Sequence, residues 1–321
     1  HRPMPPSDTG RLRRNGRGDF EPSASPALGR LHVALLAIGL AFLLVPAFSG
    51  FIWFDESYTL ALVGHSPQEI WGIGSYDVHP VLYYEAEHAL LPLLDALGGA
   101  AVSAARALGL NPSGSLGAAA GTGLAARVLG TRLFSIAGTW ATALLGLTHV
   151  SHDCGRRTGI AFTLLVLFTP ISVELSSQIR MYSWTMFACA ACSIYGLRIA
   201  GHVRAGEAAG AATWVVFAAS SLAAAYLHYF GAMTAFALNG LLVVAIVRMR
   251  SRADTRIWVV QTVAQVALYL PWISVAAGQA SSVSQGFWIT LGPLACTVPF
   301  GWPLAAAAAM WALAGRKLHG N

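Results

Sequence analysis

Charge is what this sequence has least of. Only 11% of its 321 residues are Asp, Glu, Lys or Arg, whereas soluble domains carry about 25%. This composition excludes an ordinary soluble fold. Repeated apolar runs of about 20 residues match the thickness of a bilayer, and we predict an all-α polytopic membrane protein. The net charge of +6 does not indicate nucleic-acid binding, because the arginines form short clusters between the apolar runs.

Cysteine is scarce, and nucleotide-binding loops are missing. The four cysteines suggest no disulfide framework. Cys189 and Cys192 lie three apart inside an apolar run, where small packing residues are expected rather than a redox pair. The sequence has neither a Walker motif nor a glycine-rich phosphate loop. An activated donor, rather than ATP, is therefore expected to supply the energy of any reaction.

Eight apolar runs are predicted to span the membrane. They cover residues 31–50, 127–148, 158–178, 182–200, 212–229, 231–248, 256–275 and 293–314. Basic residues mark cytoplasmic loops, and placing the main arginine clusters inside gives one consistent alternation with both termini cytoplasmic. We therefore predict a disordered basic cytoplasmic tail over 1–30, a membrane domain over 31–314 and a cytoplasmic end over 315–321.

The first outer loop is predicted to cover residues 51–126. Residues 79–97 look helical, but if they crossed the membrane the parity would reverse and four basic clusters would face outward. They are therefore expected to form an interfacial or re-entrant helix. Seven of the 14 acids lie between Asp55 and Asp95. Four isolated arginines map to the same outer half of the protein: Arg106, Arg127, Arg132 and Arg180.

Asp55 and Glu56 directly follow the first apolar run. Charges near the membrane are costly and often mark a site, although a solvated helix end is the plain alternative. A carboxylate can accept the proton of an attacking hydroxyl, and arginine offers a fork of donors to a departing phosphate. Acids and arginines on one side therefore suit sugar transfer from a lipid phosphate.

Further motifs follow Asp55 and Glu56 in order. They are residues 77–84 (Asp-Val-His-Pro-Val-Leu-Tyr-Tyr), 132–135 (Arg-Leu-Phe-Ser), 176–183 (Ser-Ser-Gln-Ile-Arg-Met-Tyr-Ser), 226–231 (Tyr-Leu-His-Tyr-Phe-Gly), 270–272 (Leu-Pro-Trp) and 285–288 (Gln-Gly-Phe-Trp). In order and spacing, over residues 31–290, the chain resembles the GT-C superfamily of polyprenyl-phosphate-sugar-dependent glycosyltransferases, which includes protein O-mannosyltransferases and aminoarabinose transferases. It departs from the family pattern at Val81, where a second proline is usual, and at Gln178, where a glutamate is usual.

The resemblance implies an inverting, multi-pass transferase of a bacterial plasma membrane, part of the cell envelope, with its active site on the outer face. Asp55 would be the base, and Glu56 would orient the substrate or a neighbouring arginine. Phosphate and substrate would be bound by Asp77, His79, Arg127, Arg132, Gln178, Arg180, Tyr182 and His228. The expected partners are a polyprenyl-phosphate sugar, a lipid, glycan or protein acceptor, and membrane lipids.

Plainer interpretations of these residues stay open. Asp77 and His79 would cap a helix starting near Pro80. Arg132 would extend to the interface, and Arg180 would form a structural ion pair. An interfacial aromatic belt would explain the residues around His228.

Two broader alternatives also stay open. One is a transporter or lipid flippase, although no paired halves are evident. The other is an inactive GT-C fragment truncated after Asn321. Acids and His79 in the outer loop would suit Mg²⁺ or Mn²⁺, but we expect no required metal.

Overall fold

The computed structural model describes residues 12–14, 20–22, 26–48, 51–109 and 122–286. Two short strands, β1 Leu12–Arg14 and β2 Phe20–Pro22, pair antiparallel. The helices are α1 Pro26–Ala47, α2 Phe54–Leu62, α3 Pro67–Gly74, α4 Leu82–Ala107, α5 Thr122–Leu145, α6 Ser151–Cys154, α7 Arg156–Phe168, α8 Pro170–Ser176, α9 Tyr182–Ala205, α10 Ala211–Leu227, α11 Tyr229–Met249 and α12 Arg252–Gly286. A π-helical turn, Gly146–Val150, joins α5 to α6.

The described part of the chain is an all-α membrane protein apart from the β1–β2 pair. Six helices are long and apolar enough to cross a bilayer, or seven if α7 and α8, bent by 59°, form one span. The bend falls at Thr169, whose backbone is extended before Pro170, as residues that precede proline prefer. The predicted count of eight stays a prediction. Residues 293–314 lie outside the described residues, α10 has only 17 residues and is a shorter apolar helix, and one of the six candidates is α4, which was predicted to lie at the interface.

Other predicted segments are covered only in part. The predicted tail over 1–30 is described in β1, β2 and the start of α1. The cytoplasmic end over 315–321 and the motif residues beyond Gly286 lie outside the described residues. By its contacts the chain divides into one unit over residues 1–276 and a second over 277–321, of which the structure describes the end of α12.

Helices α1 and α5 run antiparallel. Near the start of α1, His32 hydrogen-bonds Thr163, whose hydroxyl donates to the carbonyl of Ala143 near the end of α5. At the other end of α1, Arg132 donates to the carbonyl of Ala47 over 3.0 Å. The continuous helical stretch Gly123–Cys154 has 32 residues and is about 48 Å long, which exceeds the roughly 30 Å of hydrocarbon in a bilayer. The first turns of α5 therefore extend past the end of α1.

Helix α4 packs against that extension. Tyr83 lies beside Ser135, with 2.7 Å between their hydroxyls. Further along α4, Gly98 meets the backbone of Ala126 so closely that a Cβ has no room. Only the Gly98 contact lies beyond the level where α1 ends. Ser135 lies between Arg132 and Trp140, which contact the carbonyls of Ala47 and Leu36, and so it faces the last turns of α1. Because α4 is itself long and apolar enough to count as a candidate span, the predicted interfacial placement of residues 79–97 stays a prediction.

Helices α9, α10 and α11 form the second half of the bundle. Cys192, Phe217 and Leu242, one from each helix, belong to one buried cluster. Helices α9 and α11 both begin close to the loop that carries His79, since Tyr182 and His79 each pack against His228. They therefore run side by side in the same direction, away from that loop.

Candidate functional site

The two adjacent acids open α2 and have different surroundings. Glu56 accepts a hydrogen bond from the backbone N–H of Trp53 over 3.3 Å, which satisfies a free donor at the helix start. Successive helical residues point about 100° apart. As a result Glu56 is 4% exposed, whereas the side chain of Asp55 is 40% exposed.

Glu56 forms a buried, satisfied pair with Arg132 of α5. Nε and Nη2 of Arg132 donate to the two carboxylate oxygens, each over 3.4 Å. The backbone N–H of Ile179 donates to Oε1 over 3.2 Å. Arg132 also donates to the carbonyls of Ala47 and Phe51. The pair therefore ties α1, α2, α5 and the segment before α9 together, and protein acceptors engage the guanidinium that was predicted to bind phosphate.

Asp55 faces a second arginine more loosely. Its Oδ2 lies 3.9 Å from Nη2 of Arg180. Nη1 of Arg180 donates to the hydroxyls of Tyr84 over 3.1 Å and Thr59 over 3.4 Å. Arg180 is only 3% exposed, and its buried Nε has no partner in the described part of the chain. A buried donor without a partner is costly, so this Nε retains unused hydrogen-bonding capacity.

Asp77 joins this cluster through Tyr84, whose hydroxyl donates to Oδ2 of Asp77 over 3.0 Å. Tyr58 packs edge-on against Tyr84. Burial, with a further contribution from Asp77 and an opposing one from Arg180, raises the pKa of Tyr58 to about 12. Tyr84 and Thr59 had no predicted role. Tyr84 is the last residue of the motif over residues 77–84, and its place in that motif is the sequence feature that could have identified it as a site residue.

His79, His228 and Tyr182 meet at the start of α9 and α11. The rings of His79 and His228 are 5.0 Å apart, and those of Tyr182 and His228 are 5.9 Å apart. His228 caps α11 by accepting a hydrogen bond from the N–H of Phe230 over 3.1 Å. An interfacial aromatic belt therefore does not explain all of the contacts of His228. Burial, then the charge of Arg180, then His228, lower the pKa of His79 from 6.5 to about 3. Burial and then Arg180 lower the pKa of His228 to about 4.

Both histidines are therefore neutral at neutral pH, and they can serve as hydrogen-bonding groups rather than cations. Nδ1 of His79 is buried and has no partner among the described residues. Nδ1 of His79 and Nε of Arg180 are thus two buried nitrogens of this cluster that have no hydrogen-bond partner among the described residues.

Arg127 and Gln178 lie outside this cluster. Arg127 forks onto Asp95 of α4, with distances of 3.1 and 2.7 Å, so its contacts join α4 to the start of α5. Gln178 lines a cavity of about 380 Å³ on the other side of the Glu56–Arg132 pair. Glu174 lines the same cavity. The structural ion pair predicted for Arg180 is formed with Asp55 and not with Glu174, its neighbour in sequence. The cavity walls are Pro46, Phe51, Trp53, Glu56, Arg132, Val173, Glu174, Ser177 and Gln178.

An apolar groove of about 550 Å³ adjoins the cluster between α4, α9 and α10. Tyr83 and Leu227, the neighbours of Tyr84 and His228, line it. The remaining walls are Leu82, Ala86, Leu90, Phe134, Trp184, Phe187, Ala188, Ala191, Val215, Val216, Ala219, Ser220 and Ala223. The groove thus brings a long apolar surface to the edge of a polar site.

Within the described ranges, no three His, Cys, Asp or Glu residues are grouped closely enough to hold a metal ion. The expectation that no metal is required stays a prediction. Comparisons with protein-family models, with curated proteins and with solved structures find no match to this chain. The resemblance to the GT-C superfamily therefore depends on the sequence motifs alone.

Proposed function

We propose that the protein is an inverting membrane glycosyltransferase that moves a sugar from a polyprenyl-phosphate donor to an acceptor hydroxyl at the outer face. One observation carries this proposal. A half-exposed carboxylate, Asp55, lies 3.9 Å from a buried arginine, Arg180, whose Nε has no partner among the described residues. That pair supplies a base and an anion-binding group side by side.

In the proposed reaction, the acceptor oxygen attacks the anomeric carbon and Asp55 takes the hydroxyl proton. The bond between the anomeric carbon and the phosphate oxygen breaks, and the lipid phosphate leaves with the electron pair. Arg180 stabilises the charge that develops on the phosphate, and its burial strengthens that effect. Asp55 is exposed enough to meet an acceptor, whereas Glu56 is not.

The neighbouring residues have supporting roles in this proposal. The Glu56–Arg132 pair fixes α2, so that Asp55 is held near Arg180. Neutral His79 and His228 offer hydrogen bonds to the phosphate or the sugar, and Tyr182 packs beside them. The apolar groove that begins at Tyr83 and Leu227 suits a polyprenyl tail, because its walls are almost entirely apolar side chains.

The activity test uses the full chain in proteoliposomes with radiolabelled polyprenyl-phosphate sugars as donors and bacterial membrane lipids as acceptors. We expect Asp55→Asn to lower the transfer rate by about 10²- to 10⁴-fold, the usual contribution of a general base. Glu207→Gln is the matched control, because Glu207 is an exposed acid whose partner is His202. Full transfer by Asp55→Asn would remove Asp55 from the mechanism.

A second measurement separates donor binding from chemistry. We expect Arg180→Gln to weaken binding of undecaprenyl phosphate by roughly 10- to 100-fold, the value of a hydrogen bond to a charged group, whereas Asp55→Asn retains it. Movement of undecaprenyl phosphate between leaflets without any sugar transfer would instead favour the flippase alternative.

A further inference from the structure

A second cavity lies at the opposite end of the bundle, between α9 and α11. It has a volume of about 340 Å³, and its walls include Leu197, Arg204, Leu241 and Arg248. Both helices begin at the candidate transfer site, so their last turns lie far from it. The cavity is therefore separate from that site.

Two arginines line this cavity. Arg204 lies in the last turn of α9 and Arg248 in the last turn of α11. Both are exposed, and neither has an ion pair within the described residues. Arg198, six residues before Arg204 on α9, differs from them because it forks onto Asp153 over 2.6 and 3.0 Å.

No acidic side chain lines the cavity. The nearest acids in sequence face other residues: Glu207 lies 3.3 Å from His202, and Asp254 accepts a hydrogen bond from Ser251 at one of its two carboxylate oxygens. Both acids line a different, smaller cavity. The mouth of the larger cavity is therefore positively charged, and the charge is available to a ligand.

The rest of the cavity is lined by apolar side chains. Leu197 and Leu241 are 68% and 69% exposed, on helices long enough to cross a bilayer. A ligand that satisfies both parts needs an anionic head and a hydrocarbon chain. Free phosphate would use the arginines but leave the apolar wall empty.

We propose that this cavity binds an anionic phospholipid of the leaflet at this end. Arg204 and Arg248 hold the phosphodiester, and one acyl chain lies along the leucines between α9 and α11. Basic pockets between membrane helices recognise anionic headgroups in this way. The site does not depend on the proposed transferase activity.

The test is lipid binding to the full chain in detergent, measured by native mass spectrometry with phosphatidylglycerol and, for comparison, phosphatidylcholine. We expect the wild type to prefer phosphatidylglycerol. We expect Arg204→Gln with Arg248→Gln to weaken that binding by roughly 30-fold, as two surface arginine contacts would, without changing phosphatidylcholine binding. Arg157→Gln with Arg256→Gln is the matched control, because both are exposed arginines that do not line the cavity.

A third variant tests the apolar half of the site. Leu241→Trp fills the cavity and keeps both arginines, and we expect it to lose phosphatidylglycerol binding as well. The proposal fails if the wild type binds both lipids equally, if the Arg204 and Arg248 double variant binds phosphatidylglycerol like the wild type, or if inorganic phosphate competes as well as the lipid does.

Discussion

The adjacent acids Glu56 and Asp55 each pair with an arginine, and the two pairs have different surroundings. Glu56 and Arg132 are both about 95% buried, and both ends of the pair have further backbone partners. Asp55 is partly exposed, lies 3.9 Å from Arg180, and faces a guanidinium whose Nε has no partner in the described region. The first pair is complete within the protein, and the second leaves hydrogen-bonding capacity for a ligand.

This difference distinguishes a pair with a structural role from the pair that we propose takes part in the reaction. A buried charge pair that is fully hydrogen-bonded fixes the relative positions of the elements that carry it, but it has nothing to offer a substrate. An incompletely paired arginine near an exposed carboxylate retains donors and an acceptor for reacting groups. We therefore assign Glu56 and Arg132 to positioning and keep Asp55 and Arg180 for the proposed reaction.

The largest expected effect on stability comes from breaking the complete pair. Glu56→Gln leaves the buried Arg132 without its counter-charge, and we expect it to lower the free energy of unfolding by about 3–5 kcal/mol. Asp55→Asn removes a half-exposed charge, and we expect less than about 1 kcal/mol. Thermal midpoints in detergent check both variants. Equal losses for the two would mean that the pairs are not different in kind.

Sequence alone predicted that several of these residues belong to one site, but it could not predict how they pair. The motifs over residues 77–84 and 176–183, and the acids of α2, were expected to converge, and Asp77, His79, Arg180 and Asp55 lie in one cluster. Sequence could not tell which of two adjacent acids points inward, because that depends on the direction in which α2 packs. It also could not show that Arg132 meets the carbonyl at the end of α1.

The helix ends of the fold were less predictable than its class. Scarce charge and long apolar runs predict an all-α membrane protein. By contrast, α5 begins at Thr122, and its first turns form a tight pair with α4 through Gly98 and Gly130. Such close backbone contact depends on glycines in two segments about 30 residues apart. The local sequence pattern of neither segment predicts this contact.

An intermediate effect on the free energy of unfolding is expected from pH, and it tests the environment of His79 and His228. The folded-state pKa values of His79 and His228, about 3 and about 4, lie below the ordinary 6.5. The unfolded chain therefore binds more protons as pH falls below about 6.5, and stability is lost down to the folded-state values. The expected slope is up to about 1.4 kcal/mol per pH unit for each histidine.

The measurement is the thermal midpoint between pH 7.5 and pH 5. We expect His79→Gln with His228→Gln to flatten the slope relative to the wild type, whatever the loss of the α11 cap does to the absolute midpoint. An unchanged slope in the double variant would show that both histidines have about the same pKa in the folded protein as in the unfolded chain.

The smallest effect is expected at a third pair, Arg127 with Asp95. Its geometry is better than that of Asp55 with Arg180, at 2.7 Å, but both side chains are more than one third exposed, and exposed pairs contribute about 0–1 kcal/mol. Arg127→Gln should therefore change stability by less than about 1 kcal/mol, with transfer and undecaprenyl phosphate binding near wild type. A loss of binding similar to that of Arg180→Gln would return Arg127 to the phosphate site that the family resemblance implies. It would also show that a short distance to a carboxylate does not by itself mark an arginine as structural.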